Sequence, residues 1–150
     1  MSTADLPPRA PPTAIAGAIV FETGRAVSGE QLASVFARSG INRPVHKLEQ
    51  MAKMAATADL LVSAWDGDLL VGVARSLTDF CAACYLADLA VDRAYQRYGI
   101  GRDLVRHTRD GIGAGTMLLL LAAPSAMAYY PKLGFTAVES GWMIRPPQWP

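Results

Sequence analysis

The stretch that decides the fold is LADLAVDRAYQRYGIGR, residues 86–102. Its first six residues predict a β-strand, and Gly99 and Gly101 stand where the following helix should begin. Glycine lets the backbone approach a ligand closely, and the N–H groups at a helix N-terminus bind anions. Arg97 and Arg102 can add charge-assisted hydrogen bonds to phosphate oxygens. The sequence therefore predicts a diphosphate-binding turn between strand and helix.

The common glycine-rich nucleotide motifs do not fit this turn. A P-loop needs Gly-Lys followed by Ser or Thr, and a dinucleotide fingerprint needs a third glycine after Gly-x-Gly. Neither pattern is present. A second glycine run, residues 111–115, follows the predicted helix, so we interpret it as a loop. The diphosphate should therefore belong to a different kind of ligand.

Three motifs together resemble the GNAT N-acetyltransferase superfamily. The residues Gln96–Gly101, QRYGIG, match the signature Q/R-x-x-G-x-G/A, with which that family binds the pyrophosphate of acetyl-CoA. The residues Tyr129–Phe135, YYPKLGF, look like the family's F-Y-x-K-L-G-F, and Asp66–Gly72 looks like its hairpin motif. The resemblance covers about residues 17–145. It implies an acetyltransferase that uses acetyl-CoA as cosubstrate and no metal.

A narrower resemblance links residues 74–91 and 141–143 to plant plastid serotonin acetyltransferase-like proteins and their bacterial relatives. One position departs from the family. Many members carry Asn or Asp in contact with the cofactor where this chain has Ala123, so that contact is not carried over.

The predicted fold class is α/β (α+β), the GNAT fold. The resemblance implies a central mixed, mostly antiparallel sheet of six to seven strands flanked by about four helices. Alternating and continuous apolar runs predict the strands, and caps, prolines and helical spacing predict the helices. The apolar run at 117–121 is expected to be a strand buried on both faces. The strands are predicted at 17–23, 60–65, 69–74, 85–91, 117–121, 135–138 and 142–145, and the helices from the Ser28–Gln31 capping box to Gly40, from Pro44, at 103–111 and at 125–130.

Length and composition indicate one domain. The chain has 150 residues, 51% of them hydrophobic, which suffices for a core without metal or disulfide staples. Residues 1–14 are rich in proline and predict a flexible tail, which leaves 15–150 as a single domain. The longest clean apolar run, 117–123, is far shorter than a membrane span. With no cleavable leader pattern either, we expect a cytoplasmic protein with no membrane partner.

The net charge of +1 argues against a nucleic-acid partner, because such proteins are usually strongly basic. The charge is unevenly distributed. Residues 57–92 carry six aspartates against one arginine, and residues 93–109 carry five arginines against one aspartate. The basic segment coincides with the predicted phosphate site. The acidic segment should face the acceptor and would favour a small cationic amine.

The two cysteines, Cys81 and Cys84, form a C-x-x-C pattern. A redox dithiol and half of a zinc site are both possible interpretations, but a structural zinc site needs four ligands. The two histidines lack the paired spacing, and the cysteines precede a strand, whereas a thioredoxin-like motif opens a helix. We interpret them as ordinary cysteines.

The resemblance also implies roles for individual residues. Tyr130 matches the general acid that protonates the departing CoA thiolate, although an aromatic that only packs at a helix end is the alternative. Asp88 is a candidate general base, a site for a cationic substrate, or a hydrogen-bonded structural aspartate. The main chain of one strand segment should contact the pantetheine arm and polarise the thioester, and the turn that follows should hold the diphosphate. The strand residues are Leu89, Ala90 and Val91, and the turn residues are Gln96, Arg97, Tyr98, Gly99, Ile100, Gly101 and Arg102.

The expected reaction is direct transfer in a ternary complex, because no nucleophile motif suggests an acyl-enzyme. The expected partner is a small-molecule amine, and a homodimer is possible. Two alternatives stay open: acetylation of protein N-termini or lysines, and a catalytically silent acyl-CoA-binding sensor module.

Overall fold

A computed structural model describes residues 19–147. The predicted tail, residues 1–14, and the first two positions of the predicted first strand lie outside these described residues. The described residues form five β-strands and three α-helices. They are β1 (Ile19–Glu22), α1 (Gly29–Ser39), α2 (Leu48–Thr57), β2 (Leu60–Asp66), β3 (Leu69–Thr78), β4 (Ala83–Val91), α3 (Ile100–Ile112) and β5 (Met117–Leu120).

The five strands form one sheet in the order β1-β2-β3-β4-β5. The first three pairings are antiparallel, and β4 pairs with β5 in parallel. The predicted fold class is therefore confirmed, with five strands and three α-helices in the described part of the chain. Helices cover both faces of the sheet, so a hydrophobic core lies on each side of it.

Local sequence signals placed most of these elements. The Asp-Gly hairpin joins β2 to β3, with Asp66 opposite Leu69 and Gly67 at φ +59°. The capping box begins α1, since Ser28 Oγ accepts from the Gln31 N–H and the Gln31 side chain accepts from the Ser28 N–H. That helix ends at Gly40, whose φ of +83° favours glycine.

The second helix begins at Leu48, so the prediction that it begins at Pro44 was wrong. The Lys47 N–H bonds to the Pro44 carbonyl at 3.0 Å and closes a turn. The backbone of Lys47 then lies at φ −90° and ψ 76°, outside the helical region, which separates the turn from the helix. Proline suits a turn as well as a first helical position, and here the turn prevailed.

The region after β5 differs most from the sequence prediction. Residues 135–138 and 142–145 form no strand, and the helix predicted at 125–130 is replaced by 3-10 turns at Pro124–Ala126 and Tyr130–Leu133. The second turn runs through the Tyr130–Pro131 step, where the predicted helix should have ended. Without a further strand beside it in residues 19–147, β5 is an edge strand.

That edge position corrects the prediction that β5 is buried on both faces. Leu118 and Leu120 pack against the core, whereas Met117 is 57% exposed and Leu119 is also exposed. The core has two parts. One lies between the sheet and α3 and the other between the sheet and α1 with α2.

Candidate active site

The strands β4 and β5 separate part-way along their length. Their parallel ladder ends at the Leu86–Leu120 pair, but β4 continues to Val91. A bulge marks the separation, because Arg75 pairs with Asp88 and Ser76 pairs with Leu86, which leaves Ala87 without a counterpart on β3. Bulges bend a strand and increase its twist. The predicted pantetheine-binding segment 89–91 therefore lies along an edge of β4 that β5 has left.

The helix α3 begins at the far end of this segment. Its N-cap, Gly99, has φ +80° and offers no side-chain cap, and Arg97 two residues earlier also has a positive φ, +72°. The first helical hydrogen bond runs from the Asp103 N–H to the Gly99 carbonyl. The N–H groups of the first helical turn before Asp103 therefore have no acceptor within the helix and can bind an anion.

Gly101 lies at a crowded corner of the site. A Cβ at this position would lie 2.7 Å from Tyr129 Oη and 3.8 Å from Val91 Cγ2. The end of β4, the first turn of α3 and the Tyr129 hydroxyl thus come together. The missing side chain keeps the backbone of α3 accessible where the predicted signature places its last glycine.

We refer to the gap between β4 and β5 beyond the Leu86–Leu120 pair as the wedge. Asp88, at the start of this part of β4, is held between two arginines. Its Oδ1 accepts from Arg43 Nε at 2.6 Å, and its Oδ2 accepts from Arg75 Nε at 2.5 Å. Asp88 is 1% exposed. Arg43 also donates to the carbonyl of Ala87, the bulged residue, at 3.1 Å. We refer to Arg43, Asp88 and Arg75 as the ion triad.

The two tyrosines of the second motif lie against each other. The Tyr129 and Tyr130 rings meet edge-on at 5.4 Å, and Tyr130 meets Phe135 at 5.6 Å. Burial raises the pKa of Tyr130 above its usual 10, and the neighbouring Tyr129 raises it further. Burial also raises the pKa of Tyr129, although Arg102 opposes this. Both phenols are therefore protonated at neutral pH and can donate a proton.

Residues 23–142 match the family model described as the acetyltransferase (GNAT) domain. The chain belongs to this family. The matched residues include β2 to β5, the α3 N-terminus, the ion triad and both tyrosines. As a GNAT acetyltransferase, the chain belongs to a group of enzymes that normally use acetyl-CoA.

A relative from Corynebacterium efficiens, mycothiol acetyltransferase, is 41% identical over 83 residues. That match covers 50% of this chain and 27% of the relative, so the chain spans about a quarter of that protein. A Staphylococcus aureus protein of unknown function has a TM-score of 0.73 at 22% identity, covering 85% of this chain and 98% of its own. A GNAT-family acetyltransferase from Streptococcus pneumoniae TIGR4 has a TM-score of 0.64 at 21% identity, covering 85% and 98%. At these identities the two structures show a shared fold.

The predicted phosphate-binding residues of this GNAT domain lie at one end of α3, but not all of the basic segment does. Arg97 is exposed on the turn, and Arg102 lies near Gly99 with its side chain 67% exposed. Arg93 instead lies over Gly40, at the C-terminus of α1, where a cation is favoured by the helix dipole. Gln96, which the signature predicts as a ligand contact, donates from Nε2 to the Val91 carbonyl at 2.9 Å. It therefore ties the turn to the end of β4.

Each of the six aspartates of residues 57–92 has a hydrogen-bond partner within the fold. Asp88, the one beside the wedge, is paired with two arginines, so this group of three side chains carries a net positive charge. The preference for a small cationic amine stays a prediction. The other five bind as follows: Asp59 accepts from the Thr78 N–H, Asp66 from Tyr95 Oη, Asp68 from Arg25, Asp79 from three backbone N–H groups and Asp92 from the Ala94 N–H.

Other features lie outside the wedge. A cavity of about 910 Å³ opens between the C-terminal half of α3 and residues 133–136, and no predicted cofactor residue lines it. Cys81 is exposed and Cys84 is buried, and both are free thiols. Within residues 19–147 no cluster of three metal-ligating side chains occurs, and no helix is long and apolar enough to cross a membrane.

Sequence reasoning missed three features of the site: the bulge at Ala87, the two arginine partners of Asp88, and the approach of Tyr129 to Gly101. The arginines lie 45 and 13 residues from Asp88, and no spacing rule links them. The motif resemblance marks only Tyr130 as the acid and gives Tyr129 no role at this corner. For Arg43, the single signal in the sequence is its positive charge in the connection between α1 and α2.

Proposed function

We propose that this protein transfers the acetyl group of acetyl-CoA to a primary amine by direct attack in a ternary complex. The observation that supports this most is the wedge between β4 and β5, which ends at the α3 N-terminus. One open strand edge and one set of unpaired N–H groups meet there, and they suit an extended molecule with a diphosphate at one end.

The residues present fit acetyl-CoA. The N–H groups of the first turn of α3, with Arg97 and Arg102 beside them, would hold the diphosphate. The backbone of residues 89–91 would hold the pantetheine arm, and a main-chain N–H of this segment would polarise the thioester carbonyl. The cosubstrate supplies an activated acetyl group when bound. The protein's part is to orient it, exclude water and move protons.

Tyr130 is our proposed general acid. Its phenol keeps its proton because burial and the neighbouring Tyr129 raise its pKa. A proton held at Tyr130 Oη can pass to the departing thiolate sulfur. Tyr129 is proposed to support the corner formed with Gly101 and to position Tyr130 through their edge contact.

Asp88 is proposed to position residues and not to act as the general base. Both of its oxygens already accept from guanidinium groups, and a proton taken up there would leave two cations facing a neutral acid. The acceptor would therefore attack as a neutral amine. Turnover should rise with pH until the acceptor amine is deprotonated, without a fall below about pH 10, because the pKa of Tyr130 is raised.

The test is release of CoA thiol from acetyl-CoA with a panel of amines, amino acids and peptides, together with mass detection of the acetylated product. We expect turnover with at least one class of acceptor. Binding of CoA without turnover across the panel would instead support the sensor module, and turnover only with peptides would support a protein acceptor. The cytoplasmic location, the possible homodimer and the narrower resemblance to plant serotonin acetyltransferase-like proteins stay predictions.

A further inference from the structure

The ion triad carries an unbalanced positive charge. One carboxylate, that of Asp88, faces the guanidinium groups of Arg43 and Arg75, whose side chains are 30% and 11% exposed. Removing charge from water is costly unless the charge is paired. One arginine would be enough to balance the charge of Asp88. The need to hold this aspartate in place therefore does not explain why a second arginine is present.

Most of the hydrogen-bond donors of Arg75 are unused. Its Nε donates to Asp88, and its two terminal nitrogens donate to no residue within 19–147. In the same part of the chain, the fully buried side-chain polar atoms without a partner are Ser76 Oγ and Asp92 Oδ2. The terminal nitrogens of Arg75 are absent from that pair, so each keeps some exposed surface, and the side chain as a whole is 11% exposed. A planar guanidinium with unused terminal donors suits a carboxylate, which it can bind through two parallel hydrogen bonds.

The triad lies next to the proposed thioester-binding segment, on the side away from the α3 N-terminus. Arg43 belongs to the α1–α2 connection and bonds to Ala87, where β4 leaves β5. Asp88 directly precedes Leu89, the start of the segment proposed to hold the thioester end. The diphosphate end lies beyond Val91, at the α3 N-terminus. The surplus charge is therefore placed beside the acceptor and away from the cosubstrate's phosphates.

We infer that Arg75, supported by Arg43, binds a carboxylate of the acceptor. The acceptor is therefore a small molecule, namely an amino acid. This inference rests on the proposed function and names its substrate class. The acceptor presents its amine to the thioester while its carboxylate pairs with the two terminal nitrogens of Arg75. Asp88 holds the two guanidinium groups in place.

The test is calorimetric titration of the CoA-saturated protein with matched probes that differ only in charge. N-acetylglycine, N-acetylalanine, N-acetylleucine and N-acetylphenylalanine are each compared with their amides. We expect at least one acid to bind about tenfold or more tightly than its amide, as a charge-assisted bond implies.

The variant Arg43→Gln should remove most of this preference for the acid. The control variant Arg109→Gln, which removes an exposed charge from the end of α3, should retain it. Thermal unfolding of each variant confirms that it is folded.

Arg43→Lys is a second variant in case Arg43→Gln does not fold. It keeps the positive charge and should retain part of the preference for the acid over its amide. Equal binding of acids and amides, or no binding of any acid, would overturn the inference. So would an acid preference that Arg43→Gln leaves intact. The same proteins are assayed for CoA release with amino acids and simple amines. If simple amines are acetylated and acids bind no more tightly than their amides, the inference fails but the proposed function stands. If no acceptor is acetylated, the proposed function itself fails.

Discussion

The two ends of the wedge are built in different ways. The end that we propose for the cosubstrate is made of backbone: contiguous residues of one turn, with glycines at positions 99 and 101 and unpaired N–H groups of α3. The end that we propose for the acceptor is made of side chains, with Arg43, Arg75 and Asp88 contributed by a loop and two strands. A backbone site tolerates changes in the surrounding side chains. A side-chain site depends on distant residues and can change specificity one residue at a time.

Substitution of Tyr130, our proposed general acid, should show the largest effect. Tyr130→Phe removes the proton donor but keeps the ring that packs on Phe135, so kcat should fall by about 100-fold to 10,000-fold. The affinity for acetyl-CoA should change little. Steady-state kinetics with both substrates measure this, and Tyr85→Phe on β4 serves as the matched control. Unchanged turnover, or a larger loss in Tyr129→Phe, would transfer the role away from Tyr130.

Removal of the central carboxylate should destabilise the acceptor end. Asp88→Asn leaves Arg43 and Arg75 without their anion, and removing one partner of a buried ion pair costs about 3–5 kcal/mol of unfolding free energy. Urea denaturation measures this. Asp68→Asn, which alters an exposed aspartate near Arg25, should cause little change. Equal stability of the two variants would show that the triad is not a structural unit.

A side chain at position 101 should affect the cosubstrate end alone. The Cβ of Gly101→Ala would lie 2.7 Å from Tyr129 Oη, so the hydroxyl must move and the α3 backbone becomes less accessible. The KM for acetyl-CoA should rise about tenfold, or ~1.4 kcal/mol, with the acceptor KM unchanged. Gly115→Ala is the control, since nothing lies within 4 Å of its Cβ position. A shift in the acceptor KM of equal size would break the division between the two ends.

Asp79 serves neither end and should show the smallest effect on activity. Backbone N–H groups of Ala82, Ala83 and Cys81 hold the pKa of its carboxylate far below the usual range. Stability from a depressed pKa is present above the unfolded value, near 4, and is lost as the pH falls. Asp79→Asn should therefore lower Tm at pH 7 and flatten its decline below pH 5, with both KM values unchanged. Thermal unfolding between pH 2 and 7 tests this, and an unaltered pH profile would contradict it.

Sequence reasoning succeeded where the physics is local. The Ser28–Gln31 cap, the Asp66–Gly67 hairpin and the amphipathic α3 each depend on residues a few positions apart, and all three are present. The turn before α3 could be predicted for the same reason, because its glycines and N–H groups are contiguous. Its binding of the cosubstrate stays a prediction.

The remaining features depend on tertiary partners. Strands predicted at 135–138 and 142–145 need a neighbouring edge to pair with, and an apolar run does not provide one. Whether β5 is buried depends likewise on what lies beside it. The triad joins residues that only the fold brings together, and the bulge at Ala87 appears only in the register of β3 against β4.

We propose that both substrates occupy the wedge together and react directly. Initial velocity, with acetyl-CoA and an accepted amine varied against each other, tests this proposal. We expect double-reciprocal lines that intersect, because a ternary complex forms before CoA leaves. Parallel lines, together with an acetylated protein trapped in the absence of the amine, would show a covalent intermediate and contradict the claim.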